Sequence, residues 1–137
     1  MSAASDYLEL KLLDHSLGTA GYTAPSTVYV GLFVSTVDAA TTLANLEAGT
    51  LTDEISGNSY ARQSIAFGAA SAGSATNSGS VTFPTASGNW GTITHLAVID
   101  ASSSGNVIYA GALDSSKLIE TGDTFVIQAS NLTITLA

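Results

Sequence analysis

The chain has 137 residues and no cysteine, so it is long enough to bury a core unaided, and disulfide scaffolds, thiol catalysis and thiolate metal sites are excluded. Three cations, Lys11, Arg62 and Lys117, stand against eleven carboxylates. Binding a phosphate backbone or an anionic membrane needs several cations, so neither nucleic acid nor a membrane is an expected partner. Only 10% of residues are charged, and such a surface favours permanent contacts with other proteins, including further copies of the chain.

The N-terminus lacks a signal-peptide pattern, and no apolar run approaches the roughly 20 residues of a membrane span. This predicts a soluble protein made in the cytoplasm. A helix is predicted over about residues 2–17, capped by Ser2, Ser5 or Asp6 and ended by Gly18. Its leucines cover about half of the helix circumference, which is more than one sheet face needs. They are Leu8, Leu10, Leu12, Leu13 and Leu17. Either the helix lies across the end of a sandwich, or its extra leucine flank docks on a neighbouring subunit.

Strand patterns begin after this helix. Thr27 to Val34 is apolar on both faces, which predicts a central strand covered on both sides. The segment of about residues 35–59 is longer than ordinary loops. It contains a weak helical pattern over Ala39 to Ala48, and we expect it to project from the sheet.

Tyr60 to Phe67 resumes as a strand, and Val81 to Phe83 is a short or edge strand because Pro84 ends it. Between these strands, Gly68 to Gly79 consists almost wholly of small residues. Such a composition buries little area, so the run is expected to be mobile or ordered by neighbouring chains.

The strand over Gly91 to Ile99 is the expected centre of the sheet, with Val107 to Leu113 as its hairpin partner. Three further strand signals follow, over Lys117–Ile119, Thr124–Ala129 and Asn131–Ala137. Seven or eight short strands after one helix predict an all-β fold. We expect a single antiparallel β-sandwich domain over residues 1–137, jelly-roll-like, with one N-terminal α-helix.

No arrangement for catalysis is visible. His15 and His95 have no nucleophile elbow or metal-binding partner at ligand spacing. The turn carboxylates do not form an Asp-x-Asp-x-Asp ladder, although a calcium site between two turns is conceivable. We therefore expect no enzyme, no cofactor and no metal.

Two residues stand out as candidates for other roles. Arg62 is predicted to pair with Asp53 or Glu54, and we favour Glu54. Such a pair would fasten the long segment to the sheet. The alternative is a salt bridge to a neighbouring subunit. Trp90 is expected to pack over a sheet end. Alternatively it stacks on a sugar or peptide ligand. Stacking on a sugar, with the loop carboxylates beside it, would make the chain a carbohydrate-binding module.

Five short motifs, taken in order, resemble small virion proteins of tailed bacteriophages. The motifs are Thr27–Phe33, Tyr60–Gln63, Val81–Pro84, Asn89–His95 and Tyr109–Leu113. The resemblance covers nearly the whole chain but departs over about residues 36–58, which are longer than the group's usual connection. Its members are described as capsid decoration or cement proteins, as tail-fibre-like proteins, or simply as structural proteins.

The resemblance implies a virion component without catalytic residues. The first hypothesis is a decoration protein that forms a homo-oligomer, with a trimer favoured, and clamps the major capsid protein. The second is a tail or baseplate adaptor or a fibre-associated protein, and the third is the carbohydrate-binding module.

Overall fold

A five-stranded antiparallel sheet with the strand order β1-β7-β6-β2-β3 forms the body of the molecule in the computed structural model, which describes residues 3–136. In chain order the elements are β1 (Ala3–Ala4), α1 (Asp6–Ser16), β2 (Val28–Phe33), α2 (Ala39–Glu47), β3 (Gln63–Ile65), β4 (Ser74–Thr76), β5 (Val81–Thr82), β6 (Gly91–Ile99), β7 (Val107–Ile119), β8 (Val126–Ile127) and β9 (Thr133–Thr135). The strands β4 and β9 form one separate two-stranded ladder, and β5 and β8 form another.

The central position of β6 follows from its side chains. Leu96 and Val98 lie on one face of the sheet, while Ala97 and Ile99 lie on the other, and all four are buried. A strand apolar on both faces is stable only when both are covered. Accordingly β6 pairs with β2 on one side and with β7 on the other. The predicted bounds of this strand are confirmed.

One face of the sheet is covered by the two small ladders, which makes the fold sandwich-like and antiparallel, as predicted. This larger core lies between β2, β6 and the ladder strands, and Phe83 packs in it with its ring centroid 5.6 Å from that of Phe125. The second layer therefore consists of two separate ladders instead of one continuous sheet.

Helix α2 covers the opposite face. Leu46 is 1% exposed and packs in a second core with Phe33 and Ile99. Asp38 caps the helix by accepting a hydrogen bond from the Thr41 backbone N–H at 2.8 Å. The structure thus has a second helix besides the N-terminal one, and the expectation that the segment over residues 35–59 projects is wrong for this helix. Without α2, this face of the sheet would be exposed to water. Burying the apolar side of α2 stabilises the helix by more than its weak helix propensity costs.

The small-residue run over Gly68 to Gly79 is ordered within the chain. Its strand β4 pairs with β9, and the side chain of Asn77, which is fully buried, donates to the carbonyls of Gly79 and Gln128 at 2.8 and 2.9 Å. The Asn77 amide oxygen accepts from the Leu132 N–H at 2.9 Å. Backbone pairing and one buried amide therefore replace the missing apolar burial, so the expected mobility or external ordering was wrong.

The long strand β7 joins two of the predicted strands, with a large bulge between them. Ile93 pairs with Lys117 and His95 pairs with Ala112, so four residues of β7 face Thr94 alone. Bulges of this kind bend a strand and redirect its side chains. The bulge places residues 113–116 beyond the regular sheet edge.

Candidate functional site

Helix α1 is fastened to the sheet at its N-terminal end. Ser5 caps it: the Ser5 hydroxyl oxygen accepts from the Leu8 N–H at 3.2 Å and its hydroxyl donates to the Val107 carbonyl. The Ser5 backbone N–H donates to the Ile108 carbonyl at 2.9 Å, continuing the pairing of β1 with β7. The helix therefore starts later than predicted and Asp6 is not its cap, because Ala3 and Ala4 extend the sheet; Ser2 lies outside the described residues. Gly18, at φ +76°, follows the helix end as predicted.

The leucines of α1 divide into two sets. Leu8 is buried, at 3% exposure, and Leu12 is half-buried. Three other leucines are exposed to solvent: Leu10 (64%), Leu13 (55%) and Leu17 (73%). At about 100° per residue these three fall within an arc of about 60°, on the side of the helix opposite Leu8. We refer to Leu10, Leu13 and Leu17 as the leucine ridge.

Carboxylates flank the leucine ridge. Glu9 lies on one side of it and Asp14 on the other, while Asp6 continues its line at the N-terminal end. Lys11 is turned away from the ridge, with its ammonium nitrogen 5.8 Å from the centroid of the Tyr7 ring. At the end of the helix, His15 accepts a hydrogen bond from the Tyr22 N–H at 3.1 Å. The ridge is thus a line of apolar side chains with an acidic border, a pattern typical of a protein contact.

A second apolar surface lies beneath α1, between the helix and the larger core. It is a groove of about 450 Å³ whose lining includes Leu12, Tyr22, Phe67 and Tyr109. Burial raises the pKa of both tyrosines above the ordinary value, so their hydroxyls are protonated and uncharged at neutral pH. The groove is therefore an apolar contact surface without a charged group among its lining residues.

A third surface is created by the bulge of β7. Sequence patterns did not predict it, since a four-residue bulge has no hydrophobic period. It is a groove of about 300 Å³ between the bulge and strand β8, and we call it the bulge groove. Apolar side chains, including Leu96, Leu113 and Phe125, line it together with the charged residues Asp114 and Lys117.

The candidate ion pair lies on the α2 side of the sheet. Arg62 donates from Nε to Glu54 Oε2 and from Nη2 to Glu54 Oε1, both at 2.7 Å, while Tyr60 donates its hydroxyl to the same carboxylate at 2.7 Å. Arg62 Nη1 also donates to the carbonyls of Ala101 and Ser104, each at 2.8 Å. The guanidinium thus joins the end of the long segment to the turn after β6.

The environment of this pair explains its chemistry. Burial and the adjacent Glu54 carboxylate raise the pKa of Tyr60, so its hydroxyl remains a donor. The same carboxylate raises the pKa of Arg62. A Cβ on Gly31 would lie 2.9 Å from Glu54 Oε2, so glycine leaves room for the carboxylate. Each group of the cluster has its partner within the chain, and the arrangement serves to hold the segment in place.

Trp90 is buried, with 6% of its surface exposed. Its indole N–H donates to the Asn58 carbonyl at 2.9 Å, and its ring lies edge-on to Tyr60 with the centroids 5.4 Å apart. A sugar needs an exposed aromatic face for stacking. Trp90 has none available, which removes the residue on which the carbohydrate-binding hypothesis depended.

His95 lies under the start of α2 and is 1% exposed. Its Nε2 donates to the Ala39 carbonyl at 3.2 Å, and its Nδ1, which is then unprotonated in the neutral ring, accepts from the Thr94 hydroxyl at 2.8 Å. Burial lowers the pKa of His95 below its ordinary value. The imidazole is therefore neutral at pH 7 and fastens α2 to β6.

The chain is similar over residues 3–135 to the family described as podophage GP4 fiber I protein gp80. It belongs to this family. It is accordingly a structural protein of a tailed-phage virion, as the resemblance of its motifs predicted, and fibre-like by its family. No curated protein matches the chain. Within the described residues, no helix has the length and apolar character that crossing a membrane requires.

Proposed function

We propose that the chain is a fibre-associated structural component of the virion that acts by protein contact and has no catalytic role. Two observations support the proposal: the family match over residues 3–135 and the leucine ridge of α1. The ridge carries the argument, because three large apolar side chains are held in one line by a helix anchored through Leu8 and Ser5. Burying a leucine stabilises a contact by about 1.5–3 kcal/mol, so the ridge offers substantial binding energy.

The second candidate function is that of a capsid decoration protein that binds the major capsid protein, as expected from the sequence. It is favoured by the same exposed ridge, since any clamp needs an apolar contact surface. The family description favours the fibre instead. The copy number per particle separates the two: a count comparable to that of the major capsid protein supports decoration, and a small count supports a fibre or adaptor.

Incorporation into particles tests the proposal. Phage lacking the chain would be complemented with the wild type or with a variant that carries Leu10→Ser, Leu13→Ser and Leu17→Ser. Purified virions would then be assayed for the chain by quantitative mass spectrometry. We expect the wild type in the particle and the triple variant at less than about a tenth of its level.

The matched control is Val37→Ser, which replaces an exposed apolar residue (56% exposed) beside α2. It should leave the incorporated amount unchanged. Absence of the wild type from purified virions would contradict a virion role, while equal incorporation of the triple variant would contradict attachment through the ridge. Unaltered circular dichroism of each variant shows that the fold is retained.

A further inference from the structure

The leucine ridge and the bulge groove match each other in shape and charge. The ridge is convex, apolar and bordered by carboxylates, whereas the groove is concave and lined by apolar and polar side chains, with Lys117 and Asp114 as its charged residues. We propose that the leucine ridge of one copy docks into the bulge groove of the next. This inference rests on the proposed function and identifies the partner of the ridge as a second copy of this chain.

The placement of the cations supports this partner. Arg62 is held by Glu54 and Lys11 lies over the Tyr7 ring, so among residues 3–136 Lys117 is the cation that has neither a carboxylate partner nor a ring contact. It stands at the edge of the groove that would receive a ridge bordered by Asp14. A chain with net charge −8 repels its own copies in general. A contact between copies is therefore most favourable where Lys117 of one copy meets a carboxylate of the other.

The charges beside the two surfaces are also complementary in order. On the helix, Lys11 and Asp14 are three residues apart, and on the bulge, Asp114 and Lys117 have the same spacing with the signs exchanged. Docking that pairs Asp14 with Lys117 opposes Asp114, the carboxylate of the groove, to Lys11 once the Lys11 ammonium leaves the Tyr7 ring. Opposed charges of this kind fix the register of an interface.

The groove is suited to an apolar side chain. Leu96 and Phe125, each 7% exposed, belong to the larger core, and β8 has β5 as its one ladder partner in the described part of the chain. Because the bulge carries residues 113–116 away from β6, core side chains line the groove. Inserting a leucine of the ridge there would remove apolar surface of both copies from water.

A contact between two different surfaces has a consequence for assembly. Two copies can join reciprocally, with each ridge in the groove of the other copy, and then form a closed dimer. Otherwise one ridge and one groove remain free, so growth continues until a larger ring closes or a filament forms. The trimer expected from the sequence is one of the rings that this contact allows.

The test uses the purified full chain in sedimentation velocity and light scattering over a range of concentrations. We expect wild-type species heavier than one chain of 13.8 kDa, as a dimer or a larger assembly. Leu13→Ser should weaken association about tenfold or more, and Asp14→Lys or Lys117→Asp alone about fivefold. The double variant Asp14→Lys with Lys117→Asp should restore association, because the exchanged charges attract again.

The matched control is Glu47→Lys, which makes the same change of charge on α2 as Asp14→Lys makes on α1. It should leave association unchanged. A wild type that stays monomeric, or a double variant that associates no more strongly than the single ones, would overturn the docking proposal. Incorporation into virions is a separate measurement, so a chain that is monomeric in solution but present in particles contradicts this inference alone.

Discussion

The two helices of the described residues place their leucines differently. Helix α2 lies flat on the sheet with Leu46 fully buried in the smaller core. Helix α1 is fastened by Leu8 and leaves three leucines in water. The comparison teaches that α2 is needed to close the fold, whereas α1 needs one of its faces for folding and leaves the other available for a partner. Four substitutions test this difference. Those on the α2 side of the sheet should change the stability of the fold most.

Removing the cation that fastens the α2 segment should have the largest effect. Arg62→Met leaves the largely buried Glu54 carboxylate with the Tyr60 hydroxyl as its remaining donor and frees the carbonyls of Ala101 and Ser104. Breaking a buried pair in this way lowers the free energy of unfolding by about 3–5 kcal/mol. Urea denaturation followed by circular dichroism measures it. The double variant Arg62→Met with Glu54→Gln should recover part of the loss; a loss of under about 1 kcal/mol for Arg62→Met would show that the pair is not needed to hold the segment.

Truncating the buried leucine of α2 comes next. Leu46→Ala should lower the free energy of unfolding by about 2–5 kcal/mol, because it leaves a cavity between the helix and Phe33. Leu8→Ala, at the buried position of α1, is the matched control and should fall in the same range. If Leu46→Ala hardly changes the free energy of unfolding while Leu8→Ala lowers it strongly, then α1, and not α2, is the helix that is needed to close the fold.

The imidazole beneath α2 predicts a dependence on pH. The pKa of His95 is lower in the folded state than the unfolded value of about 6.5, because of burial. Below that value the unfolded chain binds the proton more readily, so stability is lost as pH falls from about 6.5 toward the folded pKa. The slope contributed by one proton is at most about 1.4 kcal/mol per pH unit.

His95→Gln checks this assignment, because glutamine does not titrate and can still donate toward the Ala39 carbonyl. The urea midpoint of the variant should change less between pH 7 and pH 5 than that of the wild type. A separate loss belongs to the α2 cap: hydrogen bonds from Thr41 lower the pKa of Asp38, and their stabilisation disappears as pH falls through that lowered value. Identical profiles for both proteins between pH 7 and pH 5 would rule out His95 as the source.

The smallest effect on stability should come from the ridge itself. Leu13→Ser removes a side chain that is 55% exposed, so the free energy of unfolding should change by less than about 0.5 kcal/mol. Thermal and urea unfolding give the value, with Leu8→Ala as the contrasting position on the same helix. A loss of 2 kcal/mol or more, on the order of a buried leucine, would mean that Leu13 supports the fold and is not held for a partner.

Local patterns allowed much of the fold to be predicted. Short runs of apolar and β-branched residues marked β2 and β6, and turn signals marked the ends of the hairpin. The same logic failed for residues 35–59, where weak propensity predicted a projecting segment although α2 is held by the sheet face that it covers. It also failed for the small-residue run, which is ordered by pairing with β9 and by Asn77.

For the candidate site, the sequence supplied the leucines of α1 but not their division. Periodicity showed that five leucines exceed one buried face. Which of them stay in water depends on where the helix is fastened, and that is decided by the contact of Ser5 with β7. Arg62 had two carboxylates close in sequence; Glu54 lies against it in space, while Asp53 accepts from the Thr36 hydroxyl.

By itself the sequence determined the character of the protein: a β-rich chain with few charges, no thiols and a helix with more leucine than its own core requires. The tertiary structure decided how these features are used. Burial, the bulge of β7 and the bulge groove depend on contacts between residues far apart in the chain, and a pattern confined to neighbouring positions contains no information about them. The five leucines are a property of the sequence, whereas the leucine ridge and the groove that we propose receives it exist only after folding.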